Sequence, residues 1–181
     1  YGGISYLLQA KLAQEYAQCN RMAMMHTILR FLGEDRDDGW EEERMIESVH
    51  NYISDRDHII RKGAISAHRG ENVIIPLNMG QGIVIGVGKG NKDYNYSAPH
   101  GAGRLYGRKD MLRKLDSRNF HSMEEFKESM EGIFTTSISR DTFDESPFAY
   151  KPWESILTYL GETVDVEQVA KPVYNLKASG D

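Results

Sequence analysis

The chain has little that could cross-link or anchor it. Its 181 residues include one cysteine, Cys19, which excludes an internal disulfide framework and is compatible with a reducing compartment. No apolar run approaches the ~20 residues of a membrane-spanning helix, so we expect no membrane partner. The net charge of −5 argues against general nucleic-acid binding through overall positive charge. The length suits one domain or one large part of a domain.

Several common catalytic signatures are missing as well. Residues 80–90 are rich in glycine, but no Gly-Lys-Ser/Thr follows and no Gly-x-Gly-x-x-Gly opens a helix, which excludes P-loop and dinucleotide-binding motifs. Neither a Gly-x-Ser-x-Gly elbow nor a reactive-cysteine signature is present. The six histidines form no short metal signature such as His-x-x-x-His. His50 is the best candidate metal ligand, because it stands beside Asn51 at an expected element boundary.

Helical and strand patterns are mixed without regular βαβ alternation, which predicts an α+β fold. The longest helix is expected over residues 5–31, with Cys19 as a small core residue and Asn20 as a buried, hydrogen-bonded amide or a ligand contact. Its predicted core-facing stripe comprises Ala13, Ala17, Asn20, Met24, Ile28 and Phe31. After a loop at 32–40, we expect helices at 40–49, 105–115, 122–131 and 152–160, and strands at 58–60, 73–75, 82–87 and 164–170. Ser122 and Glu125 are expected to form a capping box, and Gly161 is expected to stop the last helix.

Residues 95–104 carry the strongest chemical signal. His100 follows a proline and opens into Gly-Ala-Gly-Arg, where glycines allow a phosphate to approach backbone N–H groups. A neutral imidazole in that position can act as a nucleophile or as a general base. The simpler alternative is a glycine-rich turn that carries a solvated histidine. A basic strip follows, made of Arg104, Arg108, Lys109, Arg113, Lys114 and Arg118.

Seven separated segments, in the same order, resemble the C-terminal part of the RtcB family of RNA ligases. They are Asn20-Arg21, His50-Asn51-Tyr52, Arg61-Lys62-Gly63-Ala64, Ile75-Pro76-Leu77-Asn78-Met79-Gly80, His100-Gly101-Ala102-Gly103-Arg104, Ala149-Tyr150-Lys151, and Lys171-Pro172-Val173 leading to Lys177. The Arg-Lys-Gly-Ala and His-Gly-Ala-Gly-Arg segments are the most specific of these. Together the segments cover nearly the whole chain.

The resemblance implies GTP- and manganese-dependent joining of RNA ends in the cytoplasm, in tRNA splicing or in RNA repair. The partners would be broken or spliced tRNA, in which a 2′,3′-cyclic phosphate or 3′-phosphate end is joined to a 5′-hydroxyl end. His100 matches the histidine that is guanylylated first. The guanylate then passes to the RNA 3′-phosphate, and the 5′-hydroxyl displaces GMP.

The resemblance also implies the roles of individual residues. His50 matches a manganese ligand beside the nucleotide, and the other GTP contacts would be Asn51, Pro76, Leu77, Asn78, Met79, Gly101, Ala102, Gly103, Tyr150 and Lys177. The guanine-contacting loop usually reads Pro-Gly-Ser-Met-Gly, so Leu77 and Asn78 depart from the family pattern, as does Ile83 at a usual serine. From their charge, we expect Arg104, Arg108 and Lys109 to face RNA phosphates, with a solvated basic helix face as the alternative.

The family's other manganese ligands, an Asp, a Cys and two histidines, lie N-terminal to the matched region. The chain also begins at Tyr1 rather than at Met. We therefore expect residues 1–181 to be the C-terminal part of an RtcB-like ligase domain that lacks its N-terminal metal-binding part and is inactive alone. One alternative is a degenerate module that binds a nucleotide or RNA ends without catalysis. A more distant one is a different histidine-nucleotidyl or phosphodiesterase enzyme.

Overall fold

The computed structural model describes residues 2–34 and 45–177, which contain both helices and strands, so the α+β prediction is confirmed. The helices are α1 (Gly2–Leu32), α2 (Arg108–Leu115), α3 (Met123–Glu128) and α4 (Glu154–Thr163). The strands are β1 (Asn51–Ile53), β2 (Ile60–Lys62), β3 (Ala64–Ser66), β4 (Asn72–Pro76), β5 (Ile83–Gly88), β6 (Ser97–Pro99), β7 (Phe134–Thr135), β8 (Val164–Ala170) and β9 (Tyr174–Asn175). Short 3-10 turns lie at Lys92–Tyr94, Phe143–Glu145 and Pro147–Ala149.

The central sheet is antiparallel, with β5 between β4 and β8. Every second residue of the middle strand, β5, is buried: these are Val84, Gly86 and Gly88. A Cβ atom at Gly86 would overlap the carbonyl oxygen of Asp165 on β8, so the glycine permits close approach of the two strands. Within the glycine-rich run at 80–90, Gly86 is therefore explained by the packing of β5 against β8.

Two smaller antiparallel ladders carry the candidate site. One pairs β1 with β2, and the other pairs β3 with β6. A single residue, Gly63, separates β2 from β3 and has a φ of +71°, which glycine adopts readily. The chain therefore passes from one ladder to the other at Gly63.

Within residues 2–34 and 45–177, the hydrophobic core forms two clusters joined by the loop after β4. The first includes Leu77, and the second includes Met79. Other members of the first cluster are Ile65, Val73, Ile75, Val84, Leu160 and Val164, and other members of the second are Met111, Phe126, Met130, Phe143 and Ala149. Two residues of one short loop thus belong to different parts of the hydrophobic core.

The long N-terminal helix is confirmed as α1, but the prediction that its apolar stripe faces a core is wrong within the described residues. Phe31 is 89% exposed, and Met24 and Ile28 are exposed as well. Asn20 and Cys19 are also exposed, so neither is the buried residue that we predicted. Polar contacts help to hold α1: Gln14 Oε1 accepts a hydrogen bond from Ile53 N at 3.0 Å, Lys11 pairs with Asp55 at 2.9 Å, and Arg21 pairs with Glu47.

Element boundaries differ from prediction where a local backbone feature intervenes. The predicted strand at 58–60 begins only at Ile60, because His58 has a φ of +56°. The basic helix starts at Arg108 with Gly107 as its N-cap. The predicted stop at Gly161 is wrong, since α4 runs through that glycine to Thr163 and ends where β8 begins.

The remaining predictions are confirmed in part. Strands β4, β5 and β8 lie where expected. Ser122 and Glu125 form the expected capping box, with Glu125 N 3.2 Å from Ser122 Oγ. Of the predicted loop at 32–40 and helix at 40–49, residues 35–44 lie outside the described residues, and residues 45–49 have no regular secondary structure. In the described part of the chain, no helix combines the length and the apolar character needed to cross a membrane.

Candidate active site

Gly63 brings three predicted site residues together. Its N–H donates to the carbonyl oxygen of His50 at 2.8 Å and lies 3.3 Å from Asn51 Oδ1. Its carbonyl oxygen lies 2.6 Å from Nδ1 of His100. His50 and Asn51 enter β1 and His100 leaves β6, so the two ladders meet at one residue.

The contact with Gly63 determines the tautomer of His100. A carbonyl oxygen only accepts hydrogen bonds, so Nδ1 carries the proton that is donated to Gly63. In a neutral imidazole the other nitrogen, Nε2, then holds a free lone pair. The His100 side chain is half-buried, and its ring centroid lies 5.0 Å from that of His50. The arrangement can supply a nucleophilic nitrogen of defined orientation.

A buried charged network holds the strand that leads to Gly63. The Arg61 side chain is 1% exposed, and its guanidinium contacts Asp57 Oδ2 at 2.6 Å and Ser97 Oγ at 2.9 Å. The Asp57 carboxylate also contacts His68 Nε2 at 3.0 Å. Through Ser97, which belongs to β6, the Arg61 side chain ties the strand before Gly63 to the strand before His100. This tie helps to keep Gly63 and His100 within hydrogen-bonding distance of each other.

The residues after His100 are packed against protein backbone on both sides. A Cβ atom at Gly101 would lie 2.9 Å from the carbonyl oxygen of Pro76. Ala102 is buried, while Gly103 has a φ of +72° and accepts a hydrogen bond from Lys151 N at 3.0 Å. The loop therefore lies between the Pro76 segment and the Tyr150-Lys151 segment, which brings three predicted nucleotide-contacting segments together.

The loop after Pro76 is stabilised by its own side chains. Leu77 and Met79 are 3% and 4% exposed and belong to the two core clusters. Asn78 Oδ1 accepts hydrogen bonds from the backbone N–H groups of Gly80 at 3.0 Å and Gln81 at 2.9 Å. Its Nδ2 donates to the Gln81 side chain at 2.8 Å. Leu77 lies outside the left-handed region, so the position where the family has glycine requires none in this chain.

A carboxylate that the sequence did not single out, Glu145, connects two of the predicted nucleotide contacts. Tyr150 Oη donates to Glu145 Oε2 at 2.5 Å, and Lys177 Nζ lies 3.8 Å from the same oxygen. Burial and the Glu145 carboxylate raise the pKa of Tyr150 to about 12. Burial opposes ionisation of Glu145, but the Tyr150 hydrogen bond and the charges of Lys177, Arg104 and Arg108 hold its pKa below the usual value.

The residues predicted to face RNA phosphates differ in their surroundings. Arg104 is half-buried, donates to Tyr106 O at 3.1 Å and to Glu145 Oε1 at 3.2 Å, and also contacts the carbonyl oxygen of Asp144. Arg108 is 75% exposed and pairs with the carboxylates of Asp144 at 3.5 Å and Glu145 at 3.3 Å. Lys109 is exposed on α2. Their contact with RNA stays a prediction.

Only a weak signal in the sequence marked Glu145 and Asp144. They form an acidic pair just before the Ser-Pro-Phe-Ala-Tyr-Lys segment, and no periodicity separates them from surface carboxylates. The opposing charge of the basic strip was the available indication that these acids would be paired.

His50 is the one residue of this chain that was predicted to be a metal ligand. Among residues 2–34 and 45–177, no group of three or more His, Cys, Asp and Glu side chains is placed to hold a metal ion. His50 offers a single imidazole, whereas manganese is bound by several ligands, many of them oxygen donors. The described residues by themselves do not fit a complete manganese site.

Comparison with known sequences shows the family of the chain. Residues 2–178 match the family described as tRNA-splicing ligase RtcB. The chain belongs to the RtcB family. The resemblance inferred from the seven segments is thereby confirmed.

Two curated RtcB proteins of Escherichia coli are similar to this member of the family. RNA-splicing ligase RtcB of strain K12 is 28% identical over 183 residues, which cover 95% of this chain and 43% of that protein. RNA-splicing ligase RtcB1 of strain ATCC 25922 is 28% identical with the same coverage. The chain therefore spans less than half the length of the curated relatives that it matches.

Proposed function

We propose that this chain is the C-terminal part of a GTP- and manganese-dependent RNA ligase. The ligase would join 2′,3′-cyclic phosphate or 3′-phosphate RNA ends to 5′-hydroxyl ends, in tRNA splicing or RNA repair, in the cytoplasm. The observation that carries the proposal is the 2.6 Å contact between His100 Nδ1 and Gly63 O, which leaves Nε2 as the nucleophile. Membership in the RtcB family supports the RNA-ligase class.

The first step uses the lone pair of His100 Nε2. That nitrogen attacks the α-phosphorus of GTP, a bond between nitrogen and phosphorus forms, and the bond to the bridging oxygen breaks with release of pyrophosphate. The Nδ1 proton stays on the ring and keeps its hydrogen bond to Gly63 O, which stabilises the positive charge that the ring gains. A 2′,3′-cyclic phosphate end would first take up one water to become a 3′-phosphate. Transfer of the guanylate to the RNA 3′-phosphate returns the lone pair to Nε2. Attack by the 5′-hydroxyl, which loses its proton to solvent, then forms the phosphodiester and releases GMP.

The segments beside His100 supply the nucleotide contacts in this proposal. Gly101 to Gly103 and the Pro76 loop would lie against the guanylate, with Asn51, Tyr150 and Lys177 around it. Their proximity supports this assignment, because Gly101 packs on Pro76 and Gly103 on Lys151, beside Tyr150. Arg104, Arg108 and Lys109 would face the RNA backbone, and the exposed side chains of Arg108 and Lys109 are the most accessible of the three.

His50 would contribute one manganese ligand, consistent with its ring lying 5.0 Å from that of His100. The remaining ligands would come from the N-terminal part of the ligase, and the 43% coverage of the curated relatives supports such a division. Residues 1–181 alone would then be inactive.

Covalent labelling tests the proposal. The full-length protein that carries these residues, given manganese and GTP radiolabelled at the α-phosphate, is expected to retain label on His100. His100→Ala should abolish labelling, whereas the matched change His121→Ala, at a half-buried histidine beside Phe148, should leave it. Label that survives His100→Ala would contradict the nucleophile assignment. Robust labelling of the 181-residue chain alone would contradict its inactivity.

The second candidate is a degenerate module that binds a nucleotide or RNA ends without catalysis. The engagement of Asn78 favours it, because the Oδ1 of that side chain is committed to Gly80 and Gln81, and only one N–H of Nδ2 is left for the base. Saturable binding of GTP by the full-length protein, without label on His100, would support this candidate over the ligase.

A further inference from the structure

We propose that Glu145 is a positioning residue that holds the loop after His100 in register with Tyr150 and with the C-terminal Lys177. The proposal rests on the proposed function, because it concerns residues assigned there to the nucleotide and RNA. It adds a residue to which neither the resemblance nor the sequence pattern gave a role.

The two oxygens of Glu145 serve two different parts of the site. Oε1 accepts from Arg104 at 3.2 Å and from Arg108 at 3.3 Å, both of which follow His100. Oε2 accepts from Tyr150 Oη at 2.5 Å and lies 3.8 Å from Lys177 Nζ. A carboxylate is planar and rigid, so when both of its oxygens are engaged, the donors on its two sides are held at a fixed separation. Glu145 therefore sets the distance between the His100 loop and the residues assigned to the nucleotide.

The contacts also determine how Tyr150 is presented. Its hydroxyl proton is donated to Glu145, so its oxygen can only accept from other groups. Arg104 Nη1 is one such donor, at 3.3 Å, and the Arg104 guanidinium lies over the Tyr150 ring at 5.1 Å. The His100 loop and the Tyr150 segment further pair through an antiparallel bridge between Arg104 and Tyr150. Loss of Glu145 would free the hydroxyl to rotate while the bridge remains.

Charge argues for positioning and against direct contact of Glu145 with a ligand. A carboxylate repels phosphate, whereas Arg104, Arg108 and Lys177 outnumber the neighbouring carboxylates of Asp144 and Glu145. The Glu145 side chain is only 18% exposed and its donors surround it. Lys177 lies 3.8 Å from Glu145, farther than the other groups that contact this carboxylate, and retains N–H donors for a bound anion.

The test uses the full-length protein with Glu145→Gln, which keeps the side-chain shape and removes the charge. We expect the KM for GTP in His100 labelling to rise about tenfold, the size expected for loss of one charge-assisted hydrogen bond, with a smaller change in kcat. Glu145→Asp keeps the charge on a shorter side chain and should recover part of the loss. Glu131→Gln, at an exposed position, is the matched control and should leave KM unchanged.

A second measurement does not depend on activity. Acetylation of Lys177, followed by mass spectrometry, should be faster in Glu145→Gln than in the wild type, because the paired carboxylate is gone. If the glutamine variant fails to fold, Glu145→Asp should give a smaller increase in the acetylation rate, because its shorter side chain withdraws the carboxylate from Lys177. An unchanged KM together with an unchanged Lys177 reactivity would overturn the positioning role. Absence of His100 labelling in the wild type would instead overturn the proposed function, and Lys177 reactivity would still test the Glu145 contacts.

Discussion

The guanidinium of Arg61 lies 2.6 Å from the carboxylate of Asp57, with side-chain exposures of 1% and 10%. Removing the carboxylate leaves a buried cation without its partner, and such changes cost about 3–5 kcal/mol. We therefore expect Asp57→Asn to lower the free energy of unfolding by about that amount in urea titrations. Asp55→Asn is the matched control, because its pair with Lys11 is exposed and should contribute under about 1 kcal/mol. Equal effects of the two substitutions would contradict the role of the buried pair.

The same pair predicts how stability depends on pH. The hydrogen bond from Arg61 is the largest of the effects that hold the pKa of Asp57 far below its usual range in the folded chain. The unfolded chain therefore takes up the proton first, so the contribution is complete above the unfolded pKa and declines as the pH falls below about 4. Urea midpoints measured between about pH 7 and 3 should fall more steeply for the wild type than for Asp57→Asn. If the urea midpoints of the two proteins fell equally with pH, Asp57 would not be the source of this pH dependence.

A methyl group at Gly101 should disturb the candidate site. Its Cβ would lie 2.9 Å from Pro76 O, which forces the loop after His100 away from the Pro76 segment. We expect Gly101→Ala to cost about 1–3 kcal/mol in stability and to reduce His100 labelling strongly. Gly161→Ala is the control, since that glycine lies inside α4 with nothing within 4 Å of its Cβ position, and it should stabilise by about 1 kcal/mol. If Gly101→Ala were labelled at His100 as strongly as the wild type, tight packing of Gly101 on Pro76 would not be required for labelling.

The titration of Tyr150 should report on its carboxylate partner. Burial, together with the hydrogen bond and charge of Glu145, raises the pKa of Tyr150 to about 12. Glu145→Gln removes the charge but not the burial, so the pKa should fall yet stay above the ordinary tyrosine value of about 10. NMR of labelled tyrosine between about pH 8 and 13, with Tyr150→Phe to assign the signal, measures this shift. A Tyr150 pKa that is the same in both proteins would show that the hydroxyl does not contact Glu145.

Local patterns in the sequence predicted local structure well. Strand β8 spans the predicted residues, and the capping box of Ser122 and Glu125 is present, because both depend on neighbours in the chain. The exposure of Met24, Ile28 and Phe31 could not be predicted in this way. Periodicity identifies the apolar face of a helix, but it does not say whether the surface that covers the face lies among the same residues.

For a similar reason, the sequence predicted some residues of the candidate site and missed others. His50, Asn51 and His100 stand out by residue type and flanking glycines, and Gly63 brings them together. Glu145 was missed, because an acidic residue near a proline is common on protein surfaces and its partners come from remote segments of the chain. Gly161 shows the opposite error, since a glycine typical of a helix end lies inside α4, where packing and the start of β8 set the end.

Leu77 and Met79 anchor a single short loop in two separate hydrophobic clusters. The loop is also closed by hydrogen bonds from Leu77 N to Gly82 O at 2.9 Å and from Gly82 N to Asn78 O at 3.0 Å. Opening it would expose part of both clusters at once, so its backbone amides should exchange with solvent only through unfolding of much of the molecule. A nucleotide that rests on this loop would meet a surface as resistant to fluctuation as the core itself.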